Sequence, residues 1–196
     1  MYSDDESMNS WYSSLQCVLE KSDKATWEHS VRVSELCKVI AEGLGLNSKQ
    51  INFATLAGLF HDIGKTFMTN TVNYPGKLAE REKNLVFYHP LLGERFISIF
   101  CGTFPSQVAE GITFHHERLN GRGYPYSLCG EEIPLIPRMV AVADVFDAMN
   151  SSRPYRGALS KKDIVAELDR PGYDVKVVSA LLKHHGREYN YKIKGS

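Results

Sequence analysis

Histidine and acidic residues occur together at several points of this 196-residue chain. Five of its seven histidines belong to this set, which comprises His29, the pair His61-Asp62, His89, the pair His115-His116 and, further along, Asp144. Imidazole and carboxylate groups together are the ligands with which proteins bind iron, manganese and zinc. Because so many potential ligands fall in so few short segments, the pattern predicts a metal enzyme rather than a collection of structural histidines.

The predicted helices place the first of these residues on a buried face or at a helix end. Apolar residues from 33 to 44 follow the three-and-four spacing of a buried helical stripe, and His29 lies one turn before them on the same face. Ser48 is the expected N-cap of the next helix. That helix delivers His61-Asp62 at its end, where Gly64 stops it.

The remaining candidates are also predicted at a helix end or on a buried stretch of helix. His115-His116 ends a helix that Pro105 opens, and His89 directly precedes a proline and so stands at the start of a helix. Asp144 lies in an apolar run of a helix predicted for residues 137–150, with Pro137 as its first residue. A carboxylate in such a run is costly to bury unless it is paired or bound to a metal.

The periodicity as a whole predicts an all-α fold. No stretch alternates with a period of two, and we expect a single compact domain of about six or seven helices. Ser160 and Asp174 are expected N-caps of the last two helices. The glycine- and proline-rich segment 117–137 is an irregular loop inside this domain, which favours a functional role. We assign residues 1–22 to an N-terminal tail and short helix, with a frayed start to about Ser10, and residues 23–196 to the domain.

Composition excludes several classes of protein. The formal net charge is zero, so no global field favours DNA, RNA or a membrane surface. No apolar run approaches the roughly 18 residues that span a bilayer, and the acidic N-terminus is unlike a signal peptide. Four widely spaced cysteines without a CxxC motif indicate reduced thiols, with Cys37 in the core. We therefore expect a cytoplasmic protein without a membrane span.

Taken in order, the motifs resemble those of a known family. His29, His61-Asp62 and Asp144 resemble the H…HD…D signature of the HD phosphohydrolase superfamily. Further segments are similar to the HD-GYP subfamily, namely His61-Asp62-Ile63-Gly64-Lys65, His89-Pro90 with Gly93, His115-His116-Glu117-Arg118, Gly123-Tyr124-Pro125, Ala143-Asp144-Val145-Phe146-Asp147-Ala148 and Arg153-Pro154-Tyr155-Arg156. The resemblance extends from about Thr26 to Asp174. One departure is Leu119-Asn120, where the family commonly has Trp-Asp.

The resemblance implies a helical domain with a metal centre that hydrolyses cyclic dinucleotides, chiefly cyclic di-GMP. Transferred motif by motif, one metal is held by His29, His61, Asp62 and Asp144, and Asp62 bridges to a second metal held by His89, His115 and His116. Family members with a third metal use a glutamate four residues before the first histidine, where this chain has Ala25. We therefore expect two divalent ions, iron or manganese.

The expected chemistry follows from such a centre. Water between two cations is acidified to hydroxide near neutral pH and attacks the phosphorus in line. Asp62 and Lys65 are the expected catalytic residues, with the Lys65 ammonium neutralising charge on the phosphate. Tyr124, Arg153 and Arg156 are, with Lys65, the candidates for substrate binding, since aromatic rings stack on bases and guanidinium groups make forked contacts with phosphate. The resemblance also implies that the Gly123-Tyr124-Pro125 loop docks cyclase domains of the GGDEF type.

Three functions remain open at this point. The first is a phosphodiesterase acting on cyclic di-GMP or on cyclic GMP-AMP, which yields a linear dinucleotide or mononucleotides. The second is another HD-type phosphohydrolase that acts on a nucleotide; the additional histidines and the Gly-Tyr-Pro loop argue against it. The third is a catalytically weak receptor or docking module for the dinucleotide. Such degenerate relatives lose ligands or the loop, whereas this chain keeps both.

Overall fold

The computed structural model describes residues 4–22, 24–68, 86–101, 104–151 and 157–185. Within these ranges the chain forms eight α-helices, numbered here in chain order. They are α1 (Asp4–Ser22), α2 (Lys24–Gly43), α3 (Ser48–Phe60), α4 (His89–Cys101), α5 (Ser106–Phe114), α6 (Leu135–Asn150), α7 (Lys161–Leu168) and α8 (Val175–His184). Two short 3-10 helices, Ile63–Met68 and Gly130–Glu132, follow α3 and precede α6. The described residues form no strand, and the all-α prediction is confirmed.

The core lies where α2, α3 and α6 pack on one another. The helix α5 contacts α3 and α6, and α8 closes the same core against α2. Its fully buried side chains are aliphatic and aromatic, and they include Val33, Ile40, Phe60, Ile112, Met139 and Leu181. Burying each of these is worth about 1.5–3 kcal/mol, so this apolar seam fixes the helices that carry the polar residues of interest.

Several helix starts differ from the prediction. The N-cap of α3 is Asn47 and not Ser48, because the Asn47 side chain accepts from the Gln50 N–H while the Gln50 side chain accepts from Asn47 in return. The helix α6 begins at Leu135, and Pro137 lies within its first turn, where no backbone N–H is required. Ser160 and Asp174 cap α7 and α8 as predicted.

The N-terminal segment is more ordered than expected. The helix α1 begins at Asp4, within the stretch to Ser10 that we expected to be frayed. Leu15 and Leu19 of this helix are fully buried in the common core, so α1 is anchored at its C-terminal half. Among the residues that the structure describes, no helix is long and apolar enough to cross a membrane.

Candidate metal centre

Seven candidate ligands come from five separate elements and meet in one place. His29 lies in α2, and Asp144 lies in α6. His61 is the C-cap of α3 with Asp62 next to it, and His115 is the C-cap of α5 with His116 next to it. His89 is the first residue of α4. Four of these seven residues therefore lie at or directly after the C-terminal end of a helix, as the sequence predicted. Both helix ends face the other candidate ligands.

The first group of donors surrounds one oxygen of Asp62. The distance from His29 Nε2 to Asp144 Oδ1 is 3.1 Å, and that from His61 Nε2 to Asp62 Oδ2 is 3.3 Å. The cross distances, from His29 Nε2 to Asp62 Oδ2 and from His61 Nε2 to Asp144 Oδ1, are both 3.9 Å. Two donors that share an ion at about 2.1 Å stand roughly 3–4 Å apart. The donor atoms of His29, His61 and Asp62 form one such group, and Asp144 Oδ1 lies within this range of both histidines.

The second group meets the other oxygen of the same carboxylate. His89 Nε2 lies 3.2 Å from Asp62 Oδ1 and 3.2 Å from His115 Nε2. One nitrogen each of His89, His115 and His116 lies within 4.8 Å of the others. The two oxygens of Asp62 thus face two different sets of donors, which is the arrangement of a bridging carboxylate.

Backbone carbonyls orient three of the imidazole rings. The Nδ1 atoms of these rings donate to the carbonyl three residues earlier, His61 to Gly58 at 2.7 Å, His89 to Val86 at 2.6 Å and His115 to Ile112 at 2.7 Å. Because a carbonyl oxygen only accepts hydrogen bonds, each Nδ1 carries a proton. In the neutral ring Nε2 then has a free lone pair. In its neutral form each of these rings presents a lone pair on Nε2 to the cluster, as metal-bound histidines do.

Two polar atoms at the centre of the cluster are left unsatisfied by the described residues. His61 Nε2 and Asp62 Oδ1 are buried, and neither has a hydrogen-bond partner among the described residues. Buried polar atoms of this kind are costly in an apolar interior unless something of opposite charge lies between them. Cations would satisfy both atoms, so the donor set fits a pair of metal ions.

Two adjacent histidines are held in the neutral form. Burial lowers the pKa of His115 well below its ordinary value, and the neighbouring imidazoles lower it further. Burial also lowers the pKa of His116, to about 3. Both rings are thus already deprotonated at neutral pH, which is the state in which an imidazole binds a metal.

The acidic members of the cluster are ionised. Burial raises the pKa of both Asp62 and Asp144, but nearby groups outweigh this effect. His61 and Lys65 lower the pKa of Asp62 well below its ordinary range. His29 and His61 do the same for Asp144. Burial lowers the pKa of His29, but hydrogen bonds with Asp144 and Asp147 raise it to about 9. The cluster therefore presents anionic oxygens to any cation that enters.

Lys65 borders the cluster on its solvent side. Its Nζ donates to Asp62 Oδ2 at 2.6 Å, and its side chain is 25% exposed. The approach of the segment 62–65 to α4 depends on Gly64, because a Cβ at this position would overlap the carbonyl oxygen of His89. This close contact brings Asp62 and His89 within reach of each other.

The loop after His116 packs against the cluster. The ring of Tyr124 stacks on that of His116, with centroids 4.6 Å apart and an angle of 23° between the planes. Gly123 is required here, because a Cβ would overlap the backbone of residues 116–118. The Gly-Tyr-Pro segment thus supports a histidine of the cluster directly. Arg153 and Arg156, the other two predicted substrate contacts, lie outside the described residues.

Two residues near the cluster have structural roles that the sequence analysis did not assign. The buried carboxylate of Glu117 accepts from the backbone N–H of Tyr126 at 2.6 Å and of Leu128 at 3.1 Å, which fixes the loop. Asp147 accepts from Nδ1 of His29 at 2.7 Å. Both lie within the motifs named above. Glu117 is one residue from His116 and Asp147 is three residues from Asp144, and this proximity to a candidate ligand could have indicated their roles.

A cavity of about 520 Å³ lies elsewhere, between α1, α2 and α3. Its lining includes Tyr12, Trp27 and Glu35 but none of the seven clustered residues. The clustered residues reach solvent independently of this cavity, since the side chains of His29 and Asp144 are 13% and 16% exposed. We therefore place the chemistry at the histidine cluster and not in this cavity.

Comparison with known proteins agrees with this site. A family model described as the HD domain matches residues 14–175, a range that contains all seven clustered residues. The chain belongs to the HD domain family. The predicted resemblance to the HD-GYP subfamily is confirmed by the relatives of this HD domain, which are cyclic dinucleotide phosphodiesterases.

Two of these relatives show the extent of the sequence similarity. The chain is 38% identical over 171 residues to a cyclic di-GMP phosphodiesterase of Pseudomonas aeruginosa, covering 86% of this chain and 41% of the relative. It is 35% identical over 184 residues to the 3'3'-cGAMP-specific phosphodiesterase 1 of Vibrio cholerae, covering 91% and 42%. The chain thus spans less than half the length of each.

The structural comparison concerns the fold alone. The HD domain of the L. monocytogenes phosphodiesterase PgpH, solved in complex with cyclic-di-AMP, superposes with a TM-score of 0.62 at 15% identity. The match covers 92% of this chain and 99% of that one. The described helices are therefore arranged as in an HD domain.

Proposed function

We propose that this HD domain is a metal-dependent phosphodiesterase that hydrolyses a cyclic dinucleotide, with cyclic di-GMP as the first candidate. The observation that carries the proposal is the position of Asp62, whose two oxygens face two separate sets of imidazole donors at 3.2–3.3 Å. A site that holds two cations side by side is suited to phosphate ester hydrolysis, because charge on phosphate oxygens is what such a pair stabilises.

The residues would divide between two ions as follows. One ion would be held by His29, His61, Asp62 and Asp144, and the other by Asp62, His89, His115 and His116. Iron or manganese is the expected identity, since mixed imidazole and carboxylate donors suit both. Ala25 provides no ligand for a third ion. Such a pair of cations supplies Lewis acidity and lowers the pKa of water near the phosphate.

The chain's own residues orient the substrate and balance its charge. Lys65 would place a positive charge beside the phosphate, since its ammonium already lies at the solvent side of Asp62. Tyr124 would support His116 with one ring face, and the part of its ring that Phe87 does not cover would be the candidate contact for a base. Arg153 and Arg156 remain the candidates for forked contacts with phosphate or guanine edges.

The substrate class is supported by the relatives. Their names specify cyclic di-GMP in one case and 3'3'-cGAMP in another, and both are ring-closed dinucleotides with two phosphodiester bonds. We extend this class to the present HD domain because the alignment covers at least 86% of the chain in both cases. We further propose that the loop around Gly123-Tyr124-Pro125 docks GGDEF-type cyclase domains and that the protein acts in the cytoplasm.

The decisive experiment is hydrolysis of cyclic di-GMP and 3'3'-cGAMP by protein prepared without oxygen. We expect turnover of at least one of them, and a loss of at least 100-fold in Asp62→Asn, which keeps the size of the side chain but removes its charge. Asp163→Asn is the matched control, because this carboxylate is exposed and contacts Ser160 at the start of α7. Metal-loaded protein with no turnover of either compound would favour the receptor function instead.

A further inference from the structure

Two charged pairs face each other where α2 packs on α6. His29 and Arg32 lie three residues apart on α2, and Asp144 and Asp147 lie three residues apart on α6. Residues at this spacing share one face of a helix. The two helices are in contact, so the imidazole and the guanidinium on α2 face the two carboxylates on α6.

His29 contacts both carboxylates, one through each ring nitrogen. Nε2 lies 3.1 Å from Asp144 Oδ1 on the cluster side, whereas Nδ1 lies 2.7 Å from Asp147 Oδ2 on the opposite side of the ring. Asp147 therefore cannot serve as a ligand in the same shell as Nε2. It acts on the cluster through the His29 ring.

Arg32 fixes the Asp147 carboxylate in turn. Arg32 Nε donates to Oδ1 at 2.7 Å and its terminal nitrogen to Oδ2 at 3.0 Å, and the Ser151 hydroxyl contacts Oδ1 at 3.3 Å. A guanidinium that binds both oxygens fixes the orientation as well as the charge of a carboxylate. The side chain of Asp147 is 6% exposed, so the pair is largely shielded from water at the acidic end.

The position of His29 in its helix explains why it needs a carboxylate. His61 and His115 follow helix ends, where carbonyls have no helical partner, and they donate to those carbonyls. His29 lies well inside α2, where the nearby carbonyls accept from residues further along the helix. Of the histidines in the cluster for which a contact of Nδ1 is described, His29 is the one whose Nδ1 contacts a charged group.

We propose that Asp147, held by Arg32, is the positioning residue that keeps Nδ1 of His29 protonated and directs the Nε2 lone pair at the first metal position. The inference rests on the proposed function in so far as a metal binds there. A carboxylate partner also makes the imidazole a stronger ligand than a carbonyl partner does. Loss of Asp147 should therefore weaken the position that contains His29 and spare the position of His89, His115 and His116.

Zinc titration against a competing chelator tests this, with the metal-free full chain and its variants. We expect wild type to bind two equivalents. Asp147→Asn should weaken one of them about 10- to 100-fold, the usual effect of losing such a partner, and leave the other within about threefold. Arg32→Ala should give a smaller effect in the same direction, and Arg32→Lys should restore part of it. Lys38→Ala, which removes an exposed cation from the same helix, is the matched control.

Nitrogen NMR of the His29 ring in the zinc-loaded protein gives a second measurement that a general loss of stability would not mimic. We expect a protonated Nδ1 in wild type and a changed Nδ1 signal in Asp147→Asn. Two sites of unchanged affinity in Asp147→Asn, or equal weakening of both, would overturn the inference. Wild-type protein that binds no zinc would instead refute the proposed function, so the two failures are distinct.

Discussion

The Nε2 atoms of His89 and His115 lie 3.2 Å apart, although each ring already donates its Nδ1 proton to a backbone carbonyl. If both rings are neutral, their Nε2 lone pairs point at each other and repel unless a positive charge lies beside both. Burial keeps the pKa of His115 well below its ordinary value, so this ring does not supply the missing proton. The packing of α4 against α5 thus brings together two ring nitrogens at a distance that suits a shared cation.

Replacing Gly64 with alanine should separate Asp62 from His89. The new Cβ would overlap the carbonyl oxygen of His89 and lie 2.8 Å from the backbone nitrogen of Gly93. Overpacking of this kind costs about 1–3 kcal/mol and moves the backbone. We expect a lower urea midpoint and loss of one of the two metal equivalents. Gly157→Ala is the control, because nothing lies within 4 Å of a Cβ there, and equal metal content in both variants would contradict this view of Gly64.

Replacing Glu117 with alanine should release the loop that carries Tyr124. Two backbone N–H groups, of Tyr126 and Leu128, would lose an acceptor that is itself buried. A hydrogen bond to a charged group contributes about 1.5–3 kcal/mol, so we expect loss of the two to lower the free energy of unfolding by roughly 2–4 kcal/mol and to lower activity as well.

An exposed glutamate provides the comparison for Glu117. Glu132 also accepts from a backbone N–H, that of Cys129 at 2.8 Å, but it is exposed to solvent. Water replaces a lost acceptor at the surface, so Glu132→Ala should cost less than about 1 kcal/mol. Urea unfolding of both variants decides the matter, and similar losses in the two would show that Glu117 does not fix the loop.

The thiols should separate by reactivity as the pH rises. Cys17 and Cys129 are exposed, whereas burial raises the pKa of Cys101 to about 11 and that of Cys37 further still. Because the thiolate is the reactive form, a raised pKa slows alkylation at any pH below it. We expect Cys101 to react about tenfold faster for each pH unit from 8 to 10, with a smaller increase near its pKa, and Cys37 to react only after unfolding. Mass spectrometry after iodoacetamide treatment of Cys17→Ser/Cys129→Ser measures both, and fast labelling of Cys37 at pH 8 would contradict its burial.

The sequence predicted helices and helix ends well, because both depend on residues that are close together in the chain. Apolar periodicity gave α2, and the His61-Asp62 and His115-His116 pairs were expected at helix ends, where the structure has them. Helix starts were less accurate, since Asn47 and Ser48 are both good N-caps and the choice depends on which side chain reaches Gln50. All seven expected ligands come together in the structure.

The unassigned residues depend on contacts between distant parts of the chain. Asp147 acts through His29, 118 positions away, and no periodicity reports such a partner. Its spacing of three from Asp144 was a usable signal, because it places both carboxylates on one face of α6. Glu117 is similar, since its role depends on the path of a loop that returns nine and eleven residues later.

Elemental analysis of anaerobically purified protein tests the central claim most directly. We predict about two equivalents of iron and manganese together in wild type and about one in His89→Ala, because this histidine contributes to one position only. Wild-type protein that is folded but takes up less than about a third of an equivalent, even when either metal is supplied in excess, would contradict the account. So would His89→Ala that retains both equivalents.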